Sequence, residues 1–234
     1  MEKLLNELVQ RLQEAYGGDL VSVVLYGSGV SGDQQAQFSD LNVICILKQI
    51  GVAELRKGEK TIQWWIKQKQ PAPLLISAEE ARNSHDVFPI EFLDIQQSHR
   101  VLHGEDLFAA IEVNRANHRR QVEHELRSSL LRLRQRYWGA HPSEEDVIQL
   151  MAKSLATVAT LARHALILAG AAAPARKREI LEAASERFGL DPVPFREVLG
   201  IREGTGKLAG ERVHSLFARY LEEVRKLAQA VDRL

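Results

Sequence analysis

The sequence predicts an α+β domain with a short mixed sheet, followed by an all-α helical bundle. Two observations carry this. Strand-length apolar runs are confined to roughly the first hundred of 234 residues. Beyond about residue 112 no strand signal survives and apolar residues recur only at helical spacing. The expected domains are therefore 1–112 and 113–234.

Leu4, Leu5, Leu8, Val9, Leu12 and Tyr16 fall on one face of an opening helix, which Gly17-Gly18 ends. VSVVLYG (Val21–Gly27) reads as a short buried strand. The Gly/Ser-rich loop GSGVSGDQQAQFS follows, then a second strand, DLNVICIL (Asp40–Leu47). A helix over Val52–Gln68, a strand at Pro73–Ile76 and a helix from Ser77 come next. Ser77 with Glu80 forms an S-x-x-E capping box. FPIEFLDI (Phe88–Ile95) reads as the last strand.

In the second half, Val122, Leu126, Leu130, Leu133 and Tyr137 make one helical stripe. Val147, Leu150, Met151, Leu155, Val158, Leu161 and Ala165 make another, capped by Ser143. A shorter helix spans Arg176–Phe188, and Asp191-Pro192 reads as an N-cap with proline at the first helical position. Val213, Leu216, Phe217, Tyr220, Val224, Leu227 and Val231 close the chain. Of the adjacent Trp64 and Trp65, only one can face the core.

Composition excludes several function classes. Thirty-one basic residues balance thirty-one acidic ones, and the arginine-rich helix lacks interleaved aromatics, so nucleic acid is not expected as a partner. The most apolar stretch, Leu155 to Ala173, carries Arg163 and His164 at its middle, which fits a bundle helix and not a membrane span. The opening residues lack the unbroken apolar core of a signal peptide. The single cysteine, Cys45, sits in an apolar run without a partner, as expected of a buried thiol in a reducing cytoplasm.

The chemistry-bearing segment is LYGSGVSGD…FSDLNV. Residues two apart on a strand share a face, so Asp40 and Asn42 are expected on one side, with Leu41 and Val43 opposite. The bend at Gly27-Ser28 leaves amides and a hydroxyl beside that face. Such a nest suits phosphate oxygens, and a carboxylate suits a hard cation bridging them. The bland alternatives are a generic turn at Gly27-Ser28 and a turn cap at Asp40. Asp33 reads as a solvated loop residue. His85, His99 and His103 show no metal-ligand spacing.

These residues resemble the nucleotidyltransferase superfamily that includes DNA polymerase beta and the aminoglycoside (kanamycin-type) nucleotidyltransferases. The family pattern is Gly-Ser, a loop of about ten residues, Asp-x-Asp or Asp-x-Glu on the next strand, and a third carboxylate from a later strand. Gly27, Ser28 and Asp40 match, and Glu91 is the third carboxylate by order; Asp94 competes from the opposite face. The resemblance covers roughly residues 20–95, and the helical second half also resembles the antibiotic-modifying members.

It implies Mg²⁺ held by Asp40, Asn42 and Glu91, with Asp40 and Glu91 catalytic. It also implies a nucleoside triphosphate held by Gly27 and Ser28, and transfer of a nucleoside monophosphate to a hydroxyl of a small molecule or protein, with the helical domain closing the cleft. The acceptor is not identified, and a second copy of the chain is compatible as a partner.

The departure is Asn42, a neutral amide in the second carboxylate's place. It keeps open a rival: a catalytically degraded, nucleotide-binding or regulatory module. Seven arginines lie on the helix from Arg115 to Tyr137 against two glutamates. Arg120, Arg127 and Arg134 read as a solvated flank. Arg115 and Arg119 continue the apolar stripe and are expected to reach an anion such as the triphosphate, with Lys153 a weaker candidate for the same role.

Overall fold

The computed structural model describes residues 1–30, 40–206, 208 and 210–234, with backbone alone at Ser28. The expectation placed on Asp33 lies outside the described residues. The chain forms two compact units, Met1–Asn114 and Arg115–Leu234.

In the first unit, α1 (Glu2–Tyr16) buries Leu5, Leu8, Leu12 and Tyr16. Strand β1 (Leu20–Tyr26) pairs antiparallel with β2 (Asn42–Leu47) through Val23↔Cys45, Val24↔Ile44 and Tyr26↔Asn42. Helix α2 (Val52–Lys67) then leads to β3 (Leu74–Ser77), parallel to β2, with Ile44 opposite Leu74. Gly58 of α2 meets Tyr16 so closely that a Cβ there would lie 2.0 Å from the phenolic oxygen, so the crossing of α1 and α2 depends on the missing side chain. Trp65 is the buried tryptophan, its indole N–H donating to Pro71 O at 2.8 Å, while Trp64 carries the Arg11 guanidinium 4.3 Å above its ring.

The capping box expected at Ser77 is formed: its hydroxyl accepts from the Glu80 amide at 3.1 Å and Glu80 Oε2 accepts from the Ser77 amide at 2.7 Å. It starts α3 (Ala78–Asn83). The next segment corrects the sequence reading. FPIEFLDI is not a strand; it forms helix α4 (Pro89–Gln97). Proline at its first position and Glu91 in its first turn favour a helix start. Its apolar residues are nearly continuous, so alternation and helical period could not be told apart.

The last strand is instead β4 (His99–Gly104), antiparallel to β1 with Tyr26↔His99 and Val24↔Val101. Gly104 has φ +78°, and a Cβ there would fall 1.9 Å from Val21 O. The sheet order is β3-β2-β1-β4. One face packs Leu25, Val43 and Cys45 on α1 and α2; the other packs Val24, Ile44 and Ile46 with Phe92, Ile95 and Phe108.

The second unit consists of α5 (Arg115–Ala140), α6 (Glu144–Leu168), α7 (Lys177–Phe188), α8 (Val193–Arg202) and α9 (Glu211–Asp232). Ser143 caps α6 by accepting from the Asp146 amide at 3.2 Å. Asp191 accepts from Val193 N at 2.9 Å, so α8 starts one residue after Pro192. Val122, Leu126, Val158, Leu216, Tyr220 and Val224 are fully buried in this unit. Among the described residues, no helix is long and apolar enough to cross a membrane.

Candidate active site

The site is built where the β1–β2 pair ends. β1 runs out at Tyr26, and Gly27–Gly29 make a single tight turn. Gly27 has φ +76°, a conformation costly for a residue with a Cβ. Its amide donates to Ser98 O at 2.9 Å and its carbonyl accepts from the Ser98 hydroxyl at 3.1 Å, so the turn is clasped to the junction of α4 and β4.

The turn packs directly on the start of β2. A Cβ at Gly27 would lie 3.6 Å from Asn42 Nδ2; one at Gly29 would lie 3.3 Å from Leu41 Cδ2 and 3.8 Å from Asp40 O. Leu41 and Val43 are buried on the α1/α2 face, and Gln70 accepts from the Leu41 amide at 2.8 Å. Asn42 shares its face with Ile44 and Ile46, and Asp40 is exposed. The glycine turn and the Asp40–Asn42 segment therefore meet at one end of the sheet.

Glu91, expected on a strand, lies on helix α4. Glu91 is exposed in the first turn of α4, seven residues or about 10 Å along the helix axis from Ser98. Neither strand added to the β1–β2 pair carries an acid: β3 is LLIS and β4 is HRVLHG. Among the described residues, no group of three His, Cys, Asp or Glu is arranged to hold a metal. Asp40 and Asn42 offer a hard cation one carboxylate and one amide oxygen. That donor set fits a single divalent ion whose remaining ligands come from phosphate and water, and not a pair of bridged ions.

Of the cationic candidates, Arg115 donates to Leu168 O at 3.0 Å and to Leu234 O at 3.2 Å, and Arg119 pairs with Glu123 at 2.9 Å. Charged groups on the packing face of α5 thus find anionic or carbonyl partners inside their own unit. Lys153 is exposed and, with Arg132 and Arg136, lines a pocket of about 160 Å³ between α5 and α6.

The sequence reading weighed His99 only as a metal ligand and set it aside, because β4 was not recognised. His99 follows Ser98 directly and stands opposite Tyr26, which stands opposite Asn42. Its Nε2 lies 3.0 Å and 3.2 Å from the two oxygens of Asp106. Burial would raise the Asp106 carboxyl, but the His99 hydrogen bond and the amides of Phe108 and Ala109 outweigh it and hold the group below the usual range. Burial pushes the Tyr26 phenol up, so it stays neutral. The signal in the sequence was HRVLHGED, a short strand disguised by its histidines and followed by a turn-forming acid.

No protein-family model and no curated protein sequence matches the chain. A solved structure does: spectinomycin adenyltransferase AAD(9) from Enterococcus faecialis with ATP and spectinomycin, at 16% identity and a TM-score of 0.57, covering 96% of this chain and 99% of that one. The likeness runs the length of both chains, and this chain shares the fold of that adenyltransferase: an α+β domain with a small mixed sheet, followed by a helical domain.

Proposed function

We propose that the chain binds a nucleoside triphosphate at the Gly27–Gly29 turn and transfers its nucleoside monophosphate to a hydroxyl of a small molecule. The observation that carries this is the packing of the turn on Asp40 and Asn42, with Asp40 O 3.8 Å from the Cβ position of Gly29. The shared fold with an adenyltransferase solved with ATP and spectinomycin supports ATP as donor and a small molecule as acceptor.

In this reading the amides of Ser28 and Gly29 hold phosphate oxygens, while Gly27 N stays engaged with Ser98 and keeps the turn rigid. Asp40, with Asn42 Oδ1, would hold one Mg²⁺, which supplies charge neutralisation at the phosphates. Arg115 and Arg119, which have partners within the helical unit, are further candidate phosphate contacts. Glu91, in the first turn of α4, is the third candidate ligand for that ion.

A second reading, a nucleotide-binding module without catalysis, is favoured by Asn42 and by the lack of acids on β3 and β4. Calorimetry with ATP, with and without Mg²⁺, together with pyrophosphate release in the presence of spectinomycin, separates the two. Metal-dependent binding with turnover supports the transferase. Metal-independent binding without turnover supports the module, and absence of ATP binding removes both. Asp40→Ala should weaken metal-dependent ATP binding at least ten-fold.

A further inference from the structure

We propose that His99, oriented by Asp106, takes the proton from the acceptor hydroxyl, in the role that a third strand carboxylate would otherwise fill. This deepens the transferase reading and rests on it.

Paired residues on adjacent strands project to the same face, so the register Asn42↔Tyr26↔His99 sets three side chains in one row across β2, β1 and β4. The next row inward is Ile44, Val24 and Val101, which pack together in the apolar layer on that face. The polar row is thus the last one before the sheet ends at the Gly27 turn. Two strand spacings, about 10 Å, separate the backbones of Asn42 and His99. Tyr26 stands between them in the row, and the Gly27 turn is bonded to Ser98, the residue before His99, so the histidine adjoins the turn at the same end of the sheet.

The chemistry of the histidine suits the position. Asp106 accepts from His99 Nε2 through both oxygens, and its Oδ1 also accepts the amides of Phe108 and Ala109 at 3.1 Å each. The carboxylate is therefore fixed by the backbone, and it fixes the ring in turn. With the hydrogen on Nε2, Nδ1 carries a lone pair. Among the described residues no hydrogen bond to that nitrogen is found. The ring edge rests against Phe108, centroids 6.3 Å apart, which limits its rotation, and its side chain is only 14% exposed. The other ionisable group in the row is Tyr26; Arg100, the next residue, points to the opposite face and pairs with Glu2 at 2.9 Å.

The step balances simply. The acceptor oxygen attacks the α-phosphorus as its proton passes to His99 Nδ1. The bond from the α-phosphorus to the bridging oxygen breaks, and pyrophosphate leaves with that electron pair. Asp106 is a positioning residue that stabilises the imidazolium so formed.

The test compares wild type, His99→Gln, Asp106→Asn and Glu91→Gln, with ATP and Mg²⁺ and with spectinomycin or water as acceptor. Pyrophosphate release, ATP affinity by calorimetry and circular dichroism are read together. The expected result for His99→Gln is a fall in kcat of about 100-fold or more, with ATP affinity within about three-fold, an unchanged circular dichroism spectrum, and loss of the acid limb of the pH–rate profile. Asp106→Asn should cost kcat about ten-fold and move that limb without removing it.

An active wild type whose rate and pH profile survive His99→Gln, or in which Glu91→Gln alone abolishes the acid limb, overturns the proposal while leaving the transferase intact. A wild type that binds ATP but turns over neither acceptor overturns it together with the transferase reading.

Discussion

His118 Nε2 and His164 Nδ1 lie 2.9 Å apart in the core of the helical unit, with ring planes at 88°. The Arg163 guanidinium reaches His164 Nε2 at 3.2 Å. Arginine only donates, so His164 Nε2 is an acceptor, its hydrogen sits on Nδ1, and His118 Nε2 accepts that hydrogen. One arginine thereby sets the tautomer of His164 and the acceptor nitrogen of His118.

The pair predicts a definite cost on mutation. His118→Leu keeps bulk but takes the acceptor from a buried N–H, which costs about 1–3 kcal/mol. His164→Ala adds a cavity and should cost more, about 2–4 kcal/mol. Urea denaturation of the full chain measures both. Nitrogen-15 shifts of His164 should show Nδ1 protonated and Nε2 bare.

Gly104→Ala should be among the most damaging single changes in the sheet unit. The position needs φ +78°, and an added Cβ would stand 1.9 Å from Val21 O, a backbone atom with no freedom to swing aside. The substitution forces β4 away from β1, at a cost of about 3 kcal/mol or more. Because β4 carries His99, ATP turnover should fall with stability. Gly170→Ala, also at positive φ but with open space around its Cβ position, should cost only about 1 kcal/mol.

Cys45 provides a chemical readout of the sheet core. It is fully buried, and burial pushes its thiol up to about 12. The native protein should resist aromatic disulfide reagents at pH 8, and the thiol should react fully only in denaturant. Linkage gives the direction with pH. The folded state holds this proton more tightly than the unfolded state, so the stabilising contribution is complete below the unfolded thiol's range. It is lost as pH rises from about 9 toward 12, at about 1.4 kcal/mol per pH unit. Cys45→Ala or Cys45→Val should flatten that alkaline slope.

The elements legible in the sequence were those whose side chains alternate or recur cleanly: α1 with its leucine stripe, β1 and β2, the Ser77 capping box, and the long stripes of α5, α6 and α9. The turn at Gly27 and its junction with Asp40–Asn42 were legible too, because glycine and an acid before an apolar strand mark such sites locally. What was not legible depends on context. PIEFLDI fits either period, and only the packing of Phe92 and Ile95 under Phe108 decides for helix. HRVLHG carries too few apolar residues to read as a strand until β1 is present to pair with it. The row Asn42–Tyr26–His99 joins three segments far apart in sequence, so no local pattern announces it.

Asn42→Asp is the sharpest test of what the amide does. In the present row Asn42 lies beside Gly27, its Nδ2 3.6 Å from that residue's Cβ position, so a carboxylate there would face the same turn and the same phosphates as Asp40. Adding one unit charge about 4 Å from a divalent ion contributes roughly 8 kcal/mol of gross attraction at an effective dielectric near 20, most of it offset by desolvation and by repulsion from Asp40. Even one-sixth of that amounts to about ten-fold in affinity. Asn42→Asp should therefore tighten Mn²⁺ binding, measured by paramagnetic broadening or calorimetry, by about ten-fold or more. If pyrophosphate release rises as well, the wild-type rate is limited by cation occupancy. If Mn²⁺ binds more tightly while turnover falls, the neutral amide is part of a working one-cation site, because a second negative charge then repels the triphosphate that Asp40 alone admits.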